Sequence, residues 1–355
     1  MRNGDFRPIS LTHIIAKIVS KLLATRLAPY LNQLVSRARS AFIRKRSIHD
    51  NFLYTQNLIQ ELHRLKIPAL FLKLDIAKVF DSVRWDYLME VLEHMGFGAK
   101  WRGWISMLLS TASTSVLLNG VRGKWFKHRV GLRPGDPLSP MLFILAMEPL
   151  QRLFDIATQE GTLTPFSQRS AKLRLSLFAD DAVIFLKPVK EDVQETLQLL
   201  TSFGTASGLL TNIQKSAVYP ICCDQLNMIE VMECFQCPVK FFPCTYLGLP
   251  LHTRKLRRVE VQPLVDKVAA RLPAWKGKFL NRGGRLTVLN AVLSSIPTYF
   301  LTVFQLQKWA IKQIDKIRCG FLWKGTDQAN GGCCLVQWKK VLRRKKIGRA
   351  RRPRP

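Results

Sequence analysis

Two adjacent carboxylates, Asp180 and Asp181, sit between stretches with strand character. Leu173, Leu175 and Leu177 alternate with Arg174 and Ser176 before them, and Ala182-Val183-Ile184-Phe185-Leu186 follows. The pattern predicts a β-hairpin with both acids at its tip. Two unpaired acids at one turn repel each other. A divalent cation relieves that repulsion, and hard oxygen ligands suit Mg²⁺. An Asp-rich surface turn fits this stretch equally well, since Asp is common in turns. A third acid lies far upstream, where the apolar run Phe71-Leu72-Lys73-Leu74 ends on Asp75. A strand ending at Asp75 beside a hairpin carrying Asp180 would clamp two metal ions for in-line phosphoryl transfer.

The segments Leu74-Asp75-Ile76-Ala77-Lys78-Val79-Phe80-Asp81-Ser82-Val83 and Phe178-Ala179-Asp180-Asp181 resemble motifs A and C of the reverse transcriptases. The likeness is to the non-LTR (LINE-type) retrotransposons of plants. It runs from about residue 5 to residue 345, with several motifs in the family's order. It implies an α+β right-hand polymerase fold with fingers, a palm built on an antiparallel sheet, and a helical thumb. The expected divisions are fingers 1–67, palm 68–255 with an inserted helical fingers segment at about 84–125, thumb 256–330 and a basic tail 331–355. The implied activity is RNA-directed DNA synthesis on a primer 3′-OH, with an RNA template, a DNA primer and dNTPs as partners. Asp75 and Asp180 would hold two Mg²⁺ (or Mn²⁺) ions, with Asp181 assisting. Endonuclease activity would come from another polypeptide or a missing region.

The resemblance assigns further residues. Arg7, in Phe6-Arg7-Pro8-Ile9-Ser10-Leu11, would contact the incoming triphosphate. Phe80 would be a steric gate where a ribose 2′-OH would sit. Val79 replaces the family's alanine, and its two extra methyl groups are expected beside the nucleotide. Gly131-Leu132-Arg133-Pro134-Gly135-Asp136-Pro137-Leu138-Ser139-Pro140 matches motif B, which makes Arg133, Pro134 and Gly135 substrate-binding candidates. The family has Gln where Pro134 stands. Proline lacks both the amide and a backbone N–H, and it restricts Arg133 toward extended conformations. Displacement of Gly135 and weak or absent activity are therefore expected, the alternative being a catalytically dead, basic RNA- or DNA-binding remnant. Lys215 would protonate the leaving pyrophosphate. Tyr246-Leu247-Gly248 lies in a stretch resembling the primer-grip hairpin.

Composition agrees with a polyanion partner. The chain has 355 residues, 55 Lys and Arg against 24 Asp and Glu, and a formal net charge of +31. An excess this large points to nucleic acid ahead of an anionic membrane surface. The longest apolar run, Met141 to Met147, is far too short to span a membrane. With no secretory signal recognised, an intracellular location is expected, nuclear or cytoplasmic. All eight cysteines follow residue 220. Cys234 and Cys237 have zinc-like spacing but no second pair at the usual distance, so free thiols are expected.

The elements that must position these groups are read from periodicity. His13 to Leu34 predicts one helix, with Ile14, Ile15, Ile18, Val19, Leu22, Leu23 and Leu27 on its core side. Arg44-Lys45-Arg46, followed by Ser47, His49 and Asn51, is placed to grip phosphate oxygens. A helix is predicted from Asn51 to Leu65, another around Trp101, Trp104, Ile105 and Leu108, a strand at 115–119, and a turn at Asn119-Gly120. Pro140 starts a helix, and Glu191 to Phe203 forms another. Asp81 is expected as a hydrogen-bonding support and Asp86 as a surface acid. Val259 to Trp323 reads helical and basic, with Trp275, Lys276, Lys278, Arg282 and Arg285 near one loop. The ten Lys and Arg residues from Lys339 onward form a tail without packed structure.

Overall fold

The structure is a computed structural model and describes residues 13–37, 39–166, 174–223, 228–235, 237–272, 279–326 and 334–342. It divides into two compact units, one ending at Thr253 and the other beginning at Arg254. The first unit opens with α1 (Ile14–Leu27), α2 (Leu31–Leu34), α3 (Ile48–Arg64) and β1 (Ala69–Asp75). A short turn of helix, α4 (Val79–Ser82), leads into α5 (Trp85–His94) and α6 (Ala99–Ser110). Two-residue strands follow: β2 (Ser113–Thr114), β3 (Leu117–Leu118), β4 (Val121–Arg122) and β5 (Phe126–Lys127). Then come α7 (Ser139–Gln159), β6 (Leu175–Phe178), β7 (Asp181–Leu186), α8 (Lys190–Ser207), β8 (Ala217–Ile221) and α9 (Met228–Phe235). The hairpin of β9 (Cys244–Tyr246) and β10 (Leu249–Leu251) closes the unit.

The central sheet has the order β6-β7-β1-β8, and every neighbouring pair is antiparallel. Successive side chains on a strand face opposite ways. Leu70, Leu72 and Leu74 therefore share one face with Ala182, Ile184 and Leu186, packed in the main core with Phe143 and Leu145 of α7. Phe71 faces the other way and meets the rings of Phe185, Tyr219 and Phe242 at 5.4, 5.8 and 5.9 Å. Lys73 and Asp75 have the parity of Phe71, as Asp181 has that of Phe185. Alternation thus sets the acids on the face opposite α7.

Local chemistry explains most boundaries. Ser47 and Asp50 form a capping box that starts α3 at Ile48, three residues before the predicted start. Asp136 accepts from the Leu138 N–H at 2.8 Å just ahead of α7, and Pro140 lies in the first turn of that helix. The predicted 13–34 helix is broken. Pro29 has no N–H for the Thr25 carbonyl, so α1 ends at Leu27 and α2 restarts at Leu31. The expected core stripe is also displaced: Leu23, Ala24 and Leu27 are buried, while Ile14, Ile15, Ile18 and Leu22 are exposed. The strand expected at 115–119 shrinks to Leu117–Leu118, paired with β4 across Asn119 (φ 50°) and Gly120 (φ 81°), the turn predicted there.

Gly208 ends α8 at φ 81°, and a Cβ at that position would lie 2.2 Å from the Ser82 carbonyl oxygen. Gly208→Ala is expected to cost at least about 1–2 kcal/mol from the left-handed backbone alone, read as a lower urea midpoint. An unchanged midpoint would show that α8 and the Ser82 turn are not held this closely.

The second unit is helical. Helices Arg258–Ala270, Arg282–Val288, Ser295–Leu301, Lys308–Lys324 and Trp338–Val341 are described, with a π-helical turn at Leu289–Leu293. Val261, Val265, Leu293, Phe300, Ile314 and Phe321 are among its buried residues. Arg258 stacks on Trp309 at 4.8 Å. Trp275, Lys276 and Lys278, like the tail beyond Leu342, lie outside the described residues.

Candidate active site

The acids meet at one end of the central sheet. Asp75 is the last residue of β1 and stands directly opposite Asp181, the first residue of β7. Phe178 pairs with Asp181, so the hairpin turn consists of Ala179 and Asp180 alone. Asp180 is at the tip as expected. Asp181 is not: it belongs to the strand, because pairing with both Phe178 and Asp75 draws it into the ladder. Ala179 adopts φ 53° and Lys78, just beyond Asp75, φ 45°. A left-handed non-glycine residue costs about 1–2 kcal/mol, and such strain gathers at functional turns.

The backbone of Asp75 is fixed from the 212–216 loop. Its N–H donates to Ser216 Oγ at 3.1 Å, and its carbonyl accepts from the Asn212 N–H at 2.7 Å. Ser216 Oγ in turn donates to the Asn212 carbonyl at 2.8 Å. Lys215, exposed, lies in this same loop, with its N–H on Asn212 Oδ1 at 3.2 Å. The loop therefore ties the lysine to the acid that precedes it by 140 residues.

Burial raises the Asp181 carboxyl above the ordinary carboxylate range; Lys73 pulls it back down, and Asp180 and Asp75 push it up further. Lys73 is a site residue that sequence reasoning passed over. It lies two positions before Asp75 on the same strand face, and its Nζ donates to the Thr245 carbonyl at 2.9 Å. The period-2 alternation of the Phe71–Asp75 run was the available signal. Among the described residues, no group of three or more His, Cys, Asp or Glu side chains closes into a metal site. The acids do suit a divalent ion chemically. They are hard oxygen donors, Asp75 and Asp181 are neighbours in register, and Asp181 is unfavourable as a half-buried anion beside two like charges.

Several expected binding residues are held by the fold instead. Tyr246 is fully buried, 6.4 Å from the Phe52 ring in a stacked arrangement, so its ring serves the core, and Leu247 and Gly248 are the residues at the tip of this hairpin. Those residues form the β9–β10 turn with φ 48° and 76°. Arg46 is consumed in the loop before α3: its guanidinium donates to the Ser36 and Arg39 carbonyls at 2.5 and 2.6 Å and to Asn32 Oδ1 at 3.1 Å. Ser47 caps α3, and Asn51, buried, donates to the Leu177 carbonyl at 2.8 Å. Arg44 and Lys45 stay exposed. Arg7 lies outside the described residues.

Arg133 is half-buried and clips the end of α6, donating to the Leu108 carbonyl and to Thr111 Oγ1. Burial lowers its guanidinium pKa, and Asp136 works against that. Pro134 and Gly135 are the central residues of a closed turn. The Asp136 N–H reaches the Arg133 carbonyl at 3.3 Å, and Gly135 has φ 81°. Proline then glycine is the pair a type II turn favours. Gly131 packs closely against the segment after β1: a Cβ there would lie 2.7 Å from the Asp81 carbonyl oxygen. Asp81 itself is exposed, and Asp86 is a surface acid paired with Arg84.

Phe80 is half-buried, its ring 5.1 Å from that of Phe143 in α7. Val79 turns into the main core, 8% exposed. Its methyl groups are thus packing groups, and the expectation that they crowd the nucleotide is overturned. Val79→Ala is expected to destabilise the first unit by about 1.5–3 kcal/mol, the loss of two buried carbons plus the space they leave. A thermal melt matching the parent would return those methyl groups to the surface.

The family model for reverse transcriptase (RNA-dependent DNA polymerase) matches residues 2–251. The chain belongs to the reverse transcriptase family, and its α+β architecture around an antiparallel sheet is the right-hand polymerase fold. It is 26% identical over 355 residues to the transposon TX1 uncharacterized 149 kDa protein of Xenopus laevis, covering 94% of this chain and 26% of that protein. It is 28% identical over 205 residues to the retrovirus-related Pol polyprotein from type-1 retrotransposable element R2 of Nasonia vitripennis, covering 58% of this chain and 19% of that one. An uncharacterized mitochondrial protein of Arabidopsis thaliana is 49% identical over 67 residues, 18% of this chain and 55% of that protein. The chain spans only about a quarter and a fifth of the length of the first two. Among solved structures, the telomerase of Candida tropicalis in complex with a fragment of telomeric RNA aligns with TM-score 0.47 and 12% identity, over 90% of this chain and 51% of that one.

Proposed function

We propose that this chain is the polymerase domain of a plant-type non-LTR retroelement and carries out RNA-directed DNA synthesis. The observation that carries the reading is the pairing of Asp75 with Asp181 at the sheet end, with the Lys215 loop bonded to the Asp75 backbone. Residues 1–67 serve as fingers, 68–255 as palm with about 84–125 inserted, and 256–330 as thumb. Asp75 and Asp180 hold the divalent ions, Mg²⁺ or Mn²⁺, and Asp181 assists from β7. When bound, such ions supply Lewis acidity at the primer 3′-OH and the triphosphate. Lys215 donates a proton to the leaving pyrophosphate. Phe80, backed by Phe143, excludes a 2′-OH. Arg44 and Lys45 track template phosphates, and Leu247 with Gly248 touches the primer.

One observation favours a weaker second reading, a nucleic-acid-binding protein with little synthesis: Pro134 completes its turn well but offers no amide to a nucleotide. Single-nucleotide incorporation on a primed RNA template with Mg²⁺ separates the two. Pro134→Gln is expected to raise incorporation several-fold. It restores one hydrogen bond with a net value of about 0.5–1.5 kcal/mol, and it costs the fold about 0.4–1 kcal/mol in lost restriction of the unfolded chain. Binding of the template without incorporation by either protein supports the second reading.

A further inference from the structure

The first unit carries an apolar and basic projection that the catalytic reading leaves unused. Strands β2 to β5 are two residues long each, too short to bury a face of their own. Leu117, Leu118 and Val121 are 66–73% exposed at the β3–β4 turn, and Trp125 and Phe126 are 60% and 52% exposed beside it. A cluster of this kind marks an interaction surface. Its charge is one-sided. Arg122, Lys124, Lys127 and Arg129 interleave with the two aromatic residues, and no Asp or Glu occurs between Glu93 and Asp136. Arg122 already lies over the Trp125 ring, its guanidinium 4.9 Å from the centroid.

The projection is rooted firmly. The His128 N–H donates to the Ala112 carbonyl at 3.0 Å, and the Gly131 N–H to the Val83 carbonyl at 2.8 Å. Val130 bridges Arg84 in antiparallel fashion. The stem thus joins the segment that carries Phe80 and Asp81.

We propose that this projection is a platform for an unpaired nucleic-acid strand, with bases stacked on Trp125 and Phe126 and phosphates held by the interleaved cations. The assignment rests on the nucleic-acid polymerase reading and deepens it. Charge complementarity selects a polyanion. The aromatic pair selects one with exposed flat faces, since stacking accepts any base and needs it unpaired. A duplex offers such a surface phosphates, with ring faces open only at its two ends.

The test is equilibrium binding of fluorescently labelled oligo(U) and of a blunt RNA–DNA hybrid to the whole chain. In the double variant Trp125→Ala/Phe126→Ala, oligo(U) affinity is expected to fall at least about tenfold, with hybrid affinity within twofold of the parent. Lys124→Gln/Lys127→Gln is expected to make oligo(U) affinity less salt-dependent. Both variants should keep the parent's circular dichroism and melting temperature, since these side chains are exposed. Equal oligo(U) binding by the folded aromatic variant overturns the platform while leaving the polymerase reading intact. Failure of the parent to bind either nucleic acid overturns both. Capture of the parent by phosphatidylserine vesicles, lost in the aromatic variant while oligo(U) binding persists, reassigns the surface to a membrane. Self-association lost in that variant, with oligo(U) binding retained, reassigns it to a second copy of the chain.

Discussion

Asp75→Asn and Asp180→Asn are each expected to reduce nucleotide incorporation by at least about 10²–10³-fold, leaving RNA binding close to that of the parent. Loss of an ion ligand removes several kcal/mol of transition-state stabilisation, and each 1.36 kcal/mol is worth about tenfold in rate. Asparagine keeps the shape of the side chain, so the β1–β7 register should survive. Stability should hold or rise slightly in Asp180→Asn, because one like charge beside the half-buried Asp181 is removed. Asp86→Asn is the control: its carboxylate is exposed and pairs only with the exposed Arg84 among the described ion pairs, and exposed pairs contribute little. The assay uses whichever background, parent or Pro134→Gln, incorporates faster. Undiminished extension by Asp180→Asn would reject the assignment of the metal-holding acids.

Glu148→Ala is expected to destabilise the first unit by about 3–5 kcal/mol, the cost of leaving a buried charge without its partner. Arg39 and Glu148 are 3% and 2% exposed. Glu148 accepts from Arg39 Nε at 3.1 Å and from the Ser36 N–H at 3.0 Å, and Arg39 also donates to the Met147 carbonyl. Burial works against both partners: it lowers the Arg39 guanidinium to about 10 and raises the Glu148 carboxyl, with the ion pair offsetting only part of each shift. The pair matters for the site because Arg39 bridges Leu177 at the edge of the hairpin strand β6. Since the pair's desolvation is costly, replacing both partners together with Arg39→Met/Glu148→Leu should recover most of the loss. Urea unfolding of the three proteins reads this directly. A double variant as unstable as Glu148→Ala would mean that the loss is one of packing and not of an orphaned charge.

The Asp75 strand, the acidic hairpin, the α7 start and the Asn119-Gly120 turn were all legible in the sequence. Each rests on interactions within a few residues: alternation, a proline in a first turn, a turn pair with positive φ. The α3 start was equally local, a Ser47/Asp50 capping box, but the reading placed it three residues late. The family motifs added the acids and Lys215 as a set. What a side chain faces depends on segments far away in the chain, and there local reading fell short. Ile14, Ile15, Ile18 and Leu22 follow a helical period yet lie exposed. Val79 adjoins the motif A acid yet packs in the core. Arg46, Arg133 and Tyr246 look like ligand-binding groups, but each turns inward, because carbonyl groups buried at loop and helix ends need donors and the core needs a large ring. Strand parity was fixed by the chain itself, and so were the residues that share a face with Asp75. Only the tertiary register set Asp181 opposite Asp75, brought Lys73 to Thr245 and laid the Lys215 loop on the Asp75 backbone. Pairing partners up to 172 residues apart are selected by how whole faces bury, a property no short window of sequence contains.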